Sequence, residues 1–251
     1  MGSVVVAYSG GVDSTLLAYL AAQSIDNKAV AVTAVSASLP KDELKEAQQI
    51  AAQFGFQHII INSHEIEDPQ YIENTPLRCY WCKHSVFGLL LDYARNNDYK
   101  YVIDGTNYDD RGDHRPGRKA ATEYGIKSPL LEIEFTKEDI RSLAQHLGLP
   151  NWDKPAMACL SSRIPYGTQI SLQVLEQIAM AEQKIKMLGI QGGRVRHHGE
   201  IARIEVQLKD FRCIIANREK LTEELKNIGF RYVTLDLIGY QMGSLNRVEN
   251  H

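Results

Sequence analysis

The sequence predicts an α/β protein in which a parallel sheet, covered by helices on both faces, is followed by a smaller α+β domain. Three observations lead there. Short β-branched runs alternate with helical periods through residues 1–150, those runs are apolar almost without interruption, and beyond residue 168 the order becomes helix, two strands, helix, strand.

Val4 to Tyr8 is the first such run, closed by a glycine pair, and Asp13 to Gln23 then carries apolar residues at helical spacing. Ala29 to Val35 (strand), Lys41 to Phe54 (helix, opened by Pro40), His58 to Asn62 (strand), Cys82 to Asn96 (helix) and Tyr101 to Asp104 (strand) continue the alternation. Thr136, with Glu138 and Asp139 in the next turn, caps a helix running to about Leu147, which Gly148 and Pro150 end. From Asn151 to Gly167 periodicity is lost in an ordered loop, so the boundary falls there, with residues 1–150 one domain, 151–168 a cysteine-bearing linker and 169–251 the second domain. That second domain reads as a helix (Ser171 to Leu188), strands Arg194 to His198 and Ile201 to Gln207 joined at Gly199, a helix (Arg218 to Asn227) and a strand near Tyr232 to Leu237.

Composition restricts the function classes. The chain has 251 residues, 44% hydrophobic and 24% charged, which is the globular mean and not that of a disordered or disulfide-stapled protein. With 28 Lys and Arg against 31 Asp and Glu, the net charge of −3 provides no global positive field, so nucleic acid is not an expected partner. The N-terminus MGSVVVAYSGG lacks a basic region before its short apolar run, and no segment approaches a membrane span; a cytoplasmic protein without membrane contact is expected. Four cysteines in such a chain point to chemistry or burial and away from a disulfide framework.

Ligands of a parallel α/β sheet gather at the carboxyl ends of its strands, and the segment there after the first strand is Ser9-Gly10-Gly11-Val12-Asp13-Ser14. Paired glycines let backbone N–H groups fold towards an anion, and the following helix adds its positive dipole end, so a phosphate site is expected. Neither a GxxxxGK[ST] nor a GxGxxG spacing is present. SGGVDS in this position resembles the PP-loop of the N-type ATP pyrophosphatases. The resemblance covers residues 1–150 and implies cleavage of ATP between its α and β phosphates, with Ser9, Gly10, Gly11, Asp13 and Ser14 at the nucleotide and Asp13 the partner of a Mg²⁺ ion.

The cysteines address what is adenylylated. Cys79 and Cys82 form Arg-Cys-Tyr-Trp-Cys-Lys at the start of a helix, and Cys159 lies in Lys-Pro-Ala-Met-Ala-Cys-Leu-Ser-Ser-Arg. A thiolate is the nucleophilic form of cysteine, and Arg163 or Lys154 nearby in sequence would raise its fraction at Cys159. The CxxC has three readings: structural zinc, for which only His84 lies close in sequence; a redox or persulfide pair; or an iron–sulfur site, with Cys159 as third thiolate and one iron left for an external sulfide.

SGGVDS and the cysteine blocks, with Asp-Gly-Thr-Asn-Tyr-Asp-Asp, Asp-His-Arg-Pro-Gly, Lys-Ser-Pro-Leu and Trp-Asp-Lys-Pro-Ala-Met-Ala-Cys-Leu-Ser-Ser-Arg-Ile-Pro-Tyr-Gly in that order, closely resemble the LarE family. The resemblance implies an ATP-dependent sulfur transferase that activates a carboxylate of a pyridinium biscarboxylate mononucleotide as an acyl-adenylate and converts it to a thiocarboxylate for the nickel-pincer nucleotide of lactate racemase. It also implies a homo-oligomer, commonly a hexamer. Some members sacrifice the cysteine equivalent to Cys159, leaving dehydroalanine; Cys79, Cys82 and Cys159 together resemble the three-cysteine branch, which implies a [4Fe-4S] cluster. The other readings of a PP-loop chain are a tRNA thiolase, which needs an RNA-binding surface, and an amide-forming synthetase, which does not need the CxxC.

Thr106 and Asn107 follow a strand end and are expected at the nucleotide or substrate. In the charged stretch that follows, Asp110 and Arg115 are candidates for substrate binding. Arg194 and Arg196 alternate on one strand face, opposite Glu205 if Gly199 turns a hairpin, and as a pair would grip the mononucleotide phosphate; Arg163 is a further candidate for substrate binding. Lys83, beside the CxxC, is expected to neutralise the transition-state phosphate or take the elimination proton. Cys213 lies in an apolar run and reads as core.

Overall fold

The computed structural model describes residues 1–25, 28–112, 116–155 and 158–241. They form two compact units, Met1–Tyr71 with Leu77–Met157, and Ile72–Pro76 with Ala158–His251.

The first unit is built on a four-stranded sheet of β1 (Val4–Ala7), β2 (Ala29–Val35), β3 (His58–Asn62) and β4 (Tyr101–Ile103), all parallel and ordered β3-β2-β1-β4. Its helices are α1 (Val12–Ile25), α2 (Lys41–Phe54), α3 (Pro69–Ile72, which runs into the other unit), α4 (Arg78–Asn96), α5 (Pro116–Glu123), α6 (Pro129–Glu132) and α7 (Lys137–His146). Both faces of the central strands β1 and β2 are buried, which is why they read as unbroken apolar runs. Val4, Val6, Ala29 and Ala31 pack with Leu16, Ile50, Ile140 and Leu149 on one side, and Val5, Val30 and Val32 with Phe87, Leu90 and Ala94 on the other. Consecutive valines of β1 thus serve opposite cores, as the two-residue strand period requires.

The alternation expected from the sequence is present, with β2, β3 and α2 at the expected residues and shorter ends to β1 and β4. Thr136 caps α7 through a reciprocal pair with Asp139. Helix α4 starts at Arg78 and not at Cys82, so both cysteines lie inside its first turns. The short helices α5 and α6 carry too few turns to show a period. The order places a topological switch between β1 and β4, where the chain leaves β1 towards one sheet edge and arrives at β4 on the other side; ligand crevices open at such points.

The second unit contains α8 (Leu172–Met187), β5 (Arg194–His198), β6 (Ile201–Glu205), α9 (Phe211–Ala216), α10 (Arg218–Ile228) and β7 (Tyr232–Leu235). Strands β5 and β6 are antiparallel, with His198 opposite Ile201 across a two-residue turn in which Gly199 has φ 63°, and β7 joins β6 in parallel. Ala181, Ile185, Leu221 and Leu225 of the helices cover Val195, Ala202 and Ile204 of the sheet, with the partly buried Cys213 packed against them. The segment Ile72–Pro76 belongs here because Asn74, fully buried and left-handed at φ 54°, donates from Nδ2 to the carbonyls of Pro165 and Thr168, each at 2.8 Å. Among the described residues no helix is long and apolar enough to cross a membrane.

Candidate active site

The turn after β1 is shaped by its own small residues. Gly10 has φ 76°, and a Cβ there would stand 2.9 Å from the Ala47 methyl on α2, so conformation and space both demand glycine. Ser14 Oγ donates to the Gly11 carbonyl at 3.1 Å and accepts from the Ser9 amide at 3.2 Å, which curls the loop onto the first turn of α1. The first amides of a helix have no partner within it, so this turn aims N–H groups and the dipole's positive end out of the loop.

The turn after β4 lies directly against it. A Cβ on Gly105 would meet Ser14 N at 2.9 Å and the Asp13 carbonyl carbon at 3.1 Å, a backbone approach open only to glycine. Asn107 Nδ2 donates to Asp13 Oδ1 at 3.1 Å, and Lys137 Nζ on α7 donates to Asp13 Oδ2 at 2.5 Å. Thr106 donates from N and Oγ1 to the two carboxylate oxygens of Asp104, which also accepts from Ser128 Oγ at 2.7 Å. Ser9, Gly10, Gly11, Asp13, Ser14 and Thr106 therefore lie at the adjoining β1 and β4 turns, with the Asp13 carboxylate held between Asn107 and Lys137.

In the second unit Cys159 is the N-terminal residue of a 3-10 turn, Leu160–Arg163, and is partly exposed. That turn is built around Arg163, whose guanidinium is 2% exposed. Its Nε and Nη2 donate to the two oxygens of Glu182 on α8, at 2.8 and 3.1 Å, and Nη1 donates to the carbonyls of Ala158 and Cys159 and to Ser162 Oγ.

Comparison with known proteins places this geometry. The family model described as asparagine synthase matches residues 2–105, the part that carries the glycine loop and β1 to β4. The chain is 46% identical to the uncharacterized protein slr1717 of Synechocystis sp., over 97% of this chain and 91% of that protein. It is 38% identical to the pyridinium-3,5-bisthiocarboxylic acid mononucleotide synthase of Lactiplantibacillus plantarum, over 97% of this chain and 88% of the synthase. The chain belongs to the LarE family. The chain is also 31% identical to the uncharacterized protein MJ0830 of Methanocaldococcus jannaschii, over 95% of this chain and 90% of that protein.

Two of the three arginines expected at the substrate of this LarE chain are otherwise engaged. Arg163 is no free cation: each nitrogen of its guanidinium donates to Glu182 or to the Cys159 turn, because a charge buried this deeply must be paired. Arg196 is buried as well; its Nε and Nη2 meet Glu205 Oε2 at 2.8 Å, and Nη1 donates to the Ser162 carbonyl at 3.0 Å. Both arginines therefore order the turn behind Cys159. Arg194 differs. Its guanidinium donates to the Gly193 carbonyl and lies over the Tyr240 ring, with no carboxylate bonded to it. Burial first, and then Arg163 close by, lower its pKa.

In the first unit Asp110 accepts from the Asn107 amide at 3.1 Å, and its carbonyl accepts from Arg118, so it shapes the loop below Asp13. Arg115 lies outside the described residues. Lys83 is exposed on α4, with Nζ 5.2 Å from the centre of the Phe87 ring. Cys79 is exposed and Cys82 partly so, three residues apart on one helical face, an arrangement that suits two thiolate ligands. The third cysteine of the expected cluster, Cys159, belongs to the other unit, and among the described residues no group of three or more His, Cys, Asp or Glu is gathered for a metal ion. Sequence reasoning missed Lys137 and Asn151. Lys137 follows a cap signal and reads as an ordinary first-turn lysine, and nothing local marks Asn151.

Proposed function

We propose that this chain is an ATP-dependent sulfur transferase acting on a pyridinium dicarboxylate mononucleotide, the chemistry named in its Lactiplantibacillus plantarum relative. The observation that carries the reading is the anion-ready Ser9–Ser14 loop, with Asp13 within it bonded to Asn107 of the β4 turn, in a chain similar to that synthase almost end to end. Amides of the loop and the α1 dipole bind the β and γ phosphates of ATP, Asp13 would hold a Mg²⁺ ion that would offset their charge, and Thr106 and Asn107 line the opposite wall. A substrate carboxylate oxygen attacks the α phosphorus, the α–β bridging oxygen leaves with pyrophosphate, and an acyl-adenylate results. Sulfur then bonds to the acyl carbon and AMP leaves, giving the thiocarboxylate. Arg194 anchors the mononucleotide phosphate.

Two sources of sulfur belong to this reading. If Cys159 is sacrificed, its Sγ attacks the acyl carbon, and loss of the Cα proton with cleavage of Cβ–Sγ leaves sulfur on the product and dehydroalanine in the chain. If a [4Fe-4S] cluster is used, Cys79, Cys82 and Cys159 would hold it, and it would supply a sulfide to the acyl carbon; this is the reading the CxxC favours. The enzyme works in the cytoplasm as a homo-oligomer, which light scattering tests.

The deciding experiment incubates anaerobically purified protein with MgATP and the dicarboxylate nucleotide. AMP and pyrophosphate in equal amounts are expected, with a product in which one carboxylate oxygen is replaced by sulfur. The mass of the Cys159 peptide and the visible spectrum then separate the two sources. Full sulfur delivery by Cys159→Ala would overturn the proposal.

A further inference from the structure

Asn151 stands just beyond α7, in the turn that leads towards Cys159, and is 2% exposed. Its Nδ2 donates to the Gly10 carbonyl and to Thr15 Oγ1, both at 2.9 Å. A carbonyl only accepts, so the amide orientation is fixed by chemistry: nitrogen faces Gly10, and Oδ1 faces the other way. There it is buried with no hydrogen-bond partner among the described residues. Leaving a buried acceptor unsatisfied is costly, and an apolar side chain of the same shape would avoid that cost. What an apolar side chain lacks is the donor to Gly10.

We infer that Asn151 is a positioning residue for the nucleotide loop, and that it acts by fixing the orientation of the Gly10–Gly11 peptide. In a trans peptide the carbonyl of one residue and the N–H of the next point in opposite directions. With the Gly10 oxygen held by Asn151, the Gly11 N–H is turned to the opposite side, where Ser9 Oγ at 3.4 Å holds it only weakly and an anion can take its place. A flipped peptide would present a partial negative charge to an already anionic ligand, and Gly10, being glycine, has little of its own to resist the flip. The anchor is itself secured on several sides. Tyr8 on the preceding strand end donates its hydroxyl to the Ala47 carbonyl at 3.1 Å, next to the methyl that a Cβ on Gly10 would meet. Three residues past Asn151, Lys154 Nζ reaches Glu43 and Glu46 of α2 at 2.5 and 2.8 Å, and Trp152 packs on the core of the unit. The loop is thus held on one side by α2 and on the other by a residue 141 positions away.

The inference rests on the reading of this loop as an ATP site. Its test is titration calorimetry of the full-length protein with MgATP, comparing wild type with Asn151→Leu and Asn151→Asp. Asn151→Leu keeps the volume and removes the donor; Kd is expected to rise roughly tenfold. Asn151→Asp puts a carboxylate oxygen against the Gly10 carbonyl. It weakens binding at about pH 8, and the ratio of its Kd to that of wild type falls towards about pH 6, because a buried carboxyl takes up a proton readily and can then donate. A role in packing alone would not give that pH dependence, so the aspartate variant decides the matter even if the leucine variant fails to fold. A folded Asn151→Leu with wild-type Kd, or an Asn151→Asp ratio that does not change with pH, would overturn the assignment of Asn151. Wild-type protein that does not bind MgATP would overturn the ATP reading itself, and this inference with it.

Discussion

Arg163 and Glu182 are joined by two near-parallel hydrogen bonds, Nε to Oε1 at 2.8 Å and Nη2 to Oε2 at 3.1 Å, and Oε1 also accepts from the Val195 amide at 3.1 Å. One carboxylate thus ties the Cys159 turn, α8 and β5 together. Removing one partner of a buried pair strands the other, at a cost of about 3–5 kcal/mol. Glu182→Ala is therefore expected to lower the stability of the second unit by about 3 kcal/mol in urea denaturation and to speed hydrogen exchange at the Ser162 and Ile164 amides, which close the turn. A loss below about 1 kcal/mol would mean that the turn is held by other contacts.

Gly105 and Gly55 make a matched comparison. Gly55 ends α2 in the left-handed region with nothing near its missing Cβ, so Gly55→Ala costs only the backbone penalty, about 1 kcal/mol, and leaves nucleotide binding unchanged. At Gly105 the new methyl would meet backbone atoms of Ser14 and Asp13 at 2.9 and 3.1 Å, and backbone cannot swing aside as a flexible side chain does. The β4 turn and the start of α1 must separate, so Gly105→Ala is expected to raise Kd for MgATP by roughly tenfold or more. Calorimetry on both variants checks the contrast, and equal affinities would show that the crevice tolerates widening.

Lys137 and a Mg²⁺ ion would share the Asp13 carboxylate, so they compete. The Lys137–Asp13 pair is partly exposed, at 30% and 23%, and a pair of that kind contributes about 1 kcal/mol, or roughly fivefold. Lys137→Met should lower the Mg²⁺ concentration for half-maximal pyrophosphate release by about that factor. A raised Mg²⁺ requirement would show that the ammonium assists the phosphates and is not displaced by the metal.

The parts of this chain that were legible in its sequence are those whose determinants are local. The strand Ala29–Val35 and the helix Lys41–Phe54 declare themselves through β-branched runs and period, and Ser9–Ser14 through adjacent glycines at a strand end. Lys137 and Asn151 reach that same loop from 124 and 141 residues away, a pairing that only the folded chain reveals. Arg163 shows the opposite difficulty. A charged residue in an aperiodic loop beside a cysteine reads as chemistry, yet its partner Glu182 sits on α8 as one more helical glutamate, and only the burial of both identifies a scaffold. The same holds for Asn74, whose left-handed turn assigns Ile72–Pro76 to a unit distant in sequence.

His197 and His198 make the second unit sensitive to acid. His197 on β5 packs on the Phe230 ring, with Nε2 3.3 Å from Gln177 Oε1 and Nδ1 buried without a partner. Burial lowers the pKa of both imidazoles below the ordinary 6.5, and at His198 the nearby Arg203 adds to the effect. With a folded pKa below the unfolded one, the neutral ring is the form the fold accepts. The stability it contributes is fully present above 6.5 and is lost as pH falls through the lowered folded values. His58 in the first unit is shifted down by burial too, so a global melting curve mixes both effects, and the measurement has to resolve the units. Hydrogen exchange of β5 and β6 amides, corrected for the intrinsic pH dependence, is expected to show protection falling as pH drops below 6.5, with His197→Gln flattening the slope. Protection in β5 and β6 that stays level across that range would mean that the rings gain water or a partner on protonation and that the unit does not sense acid through them.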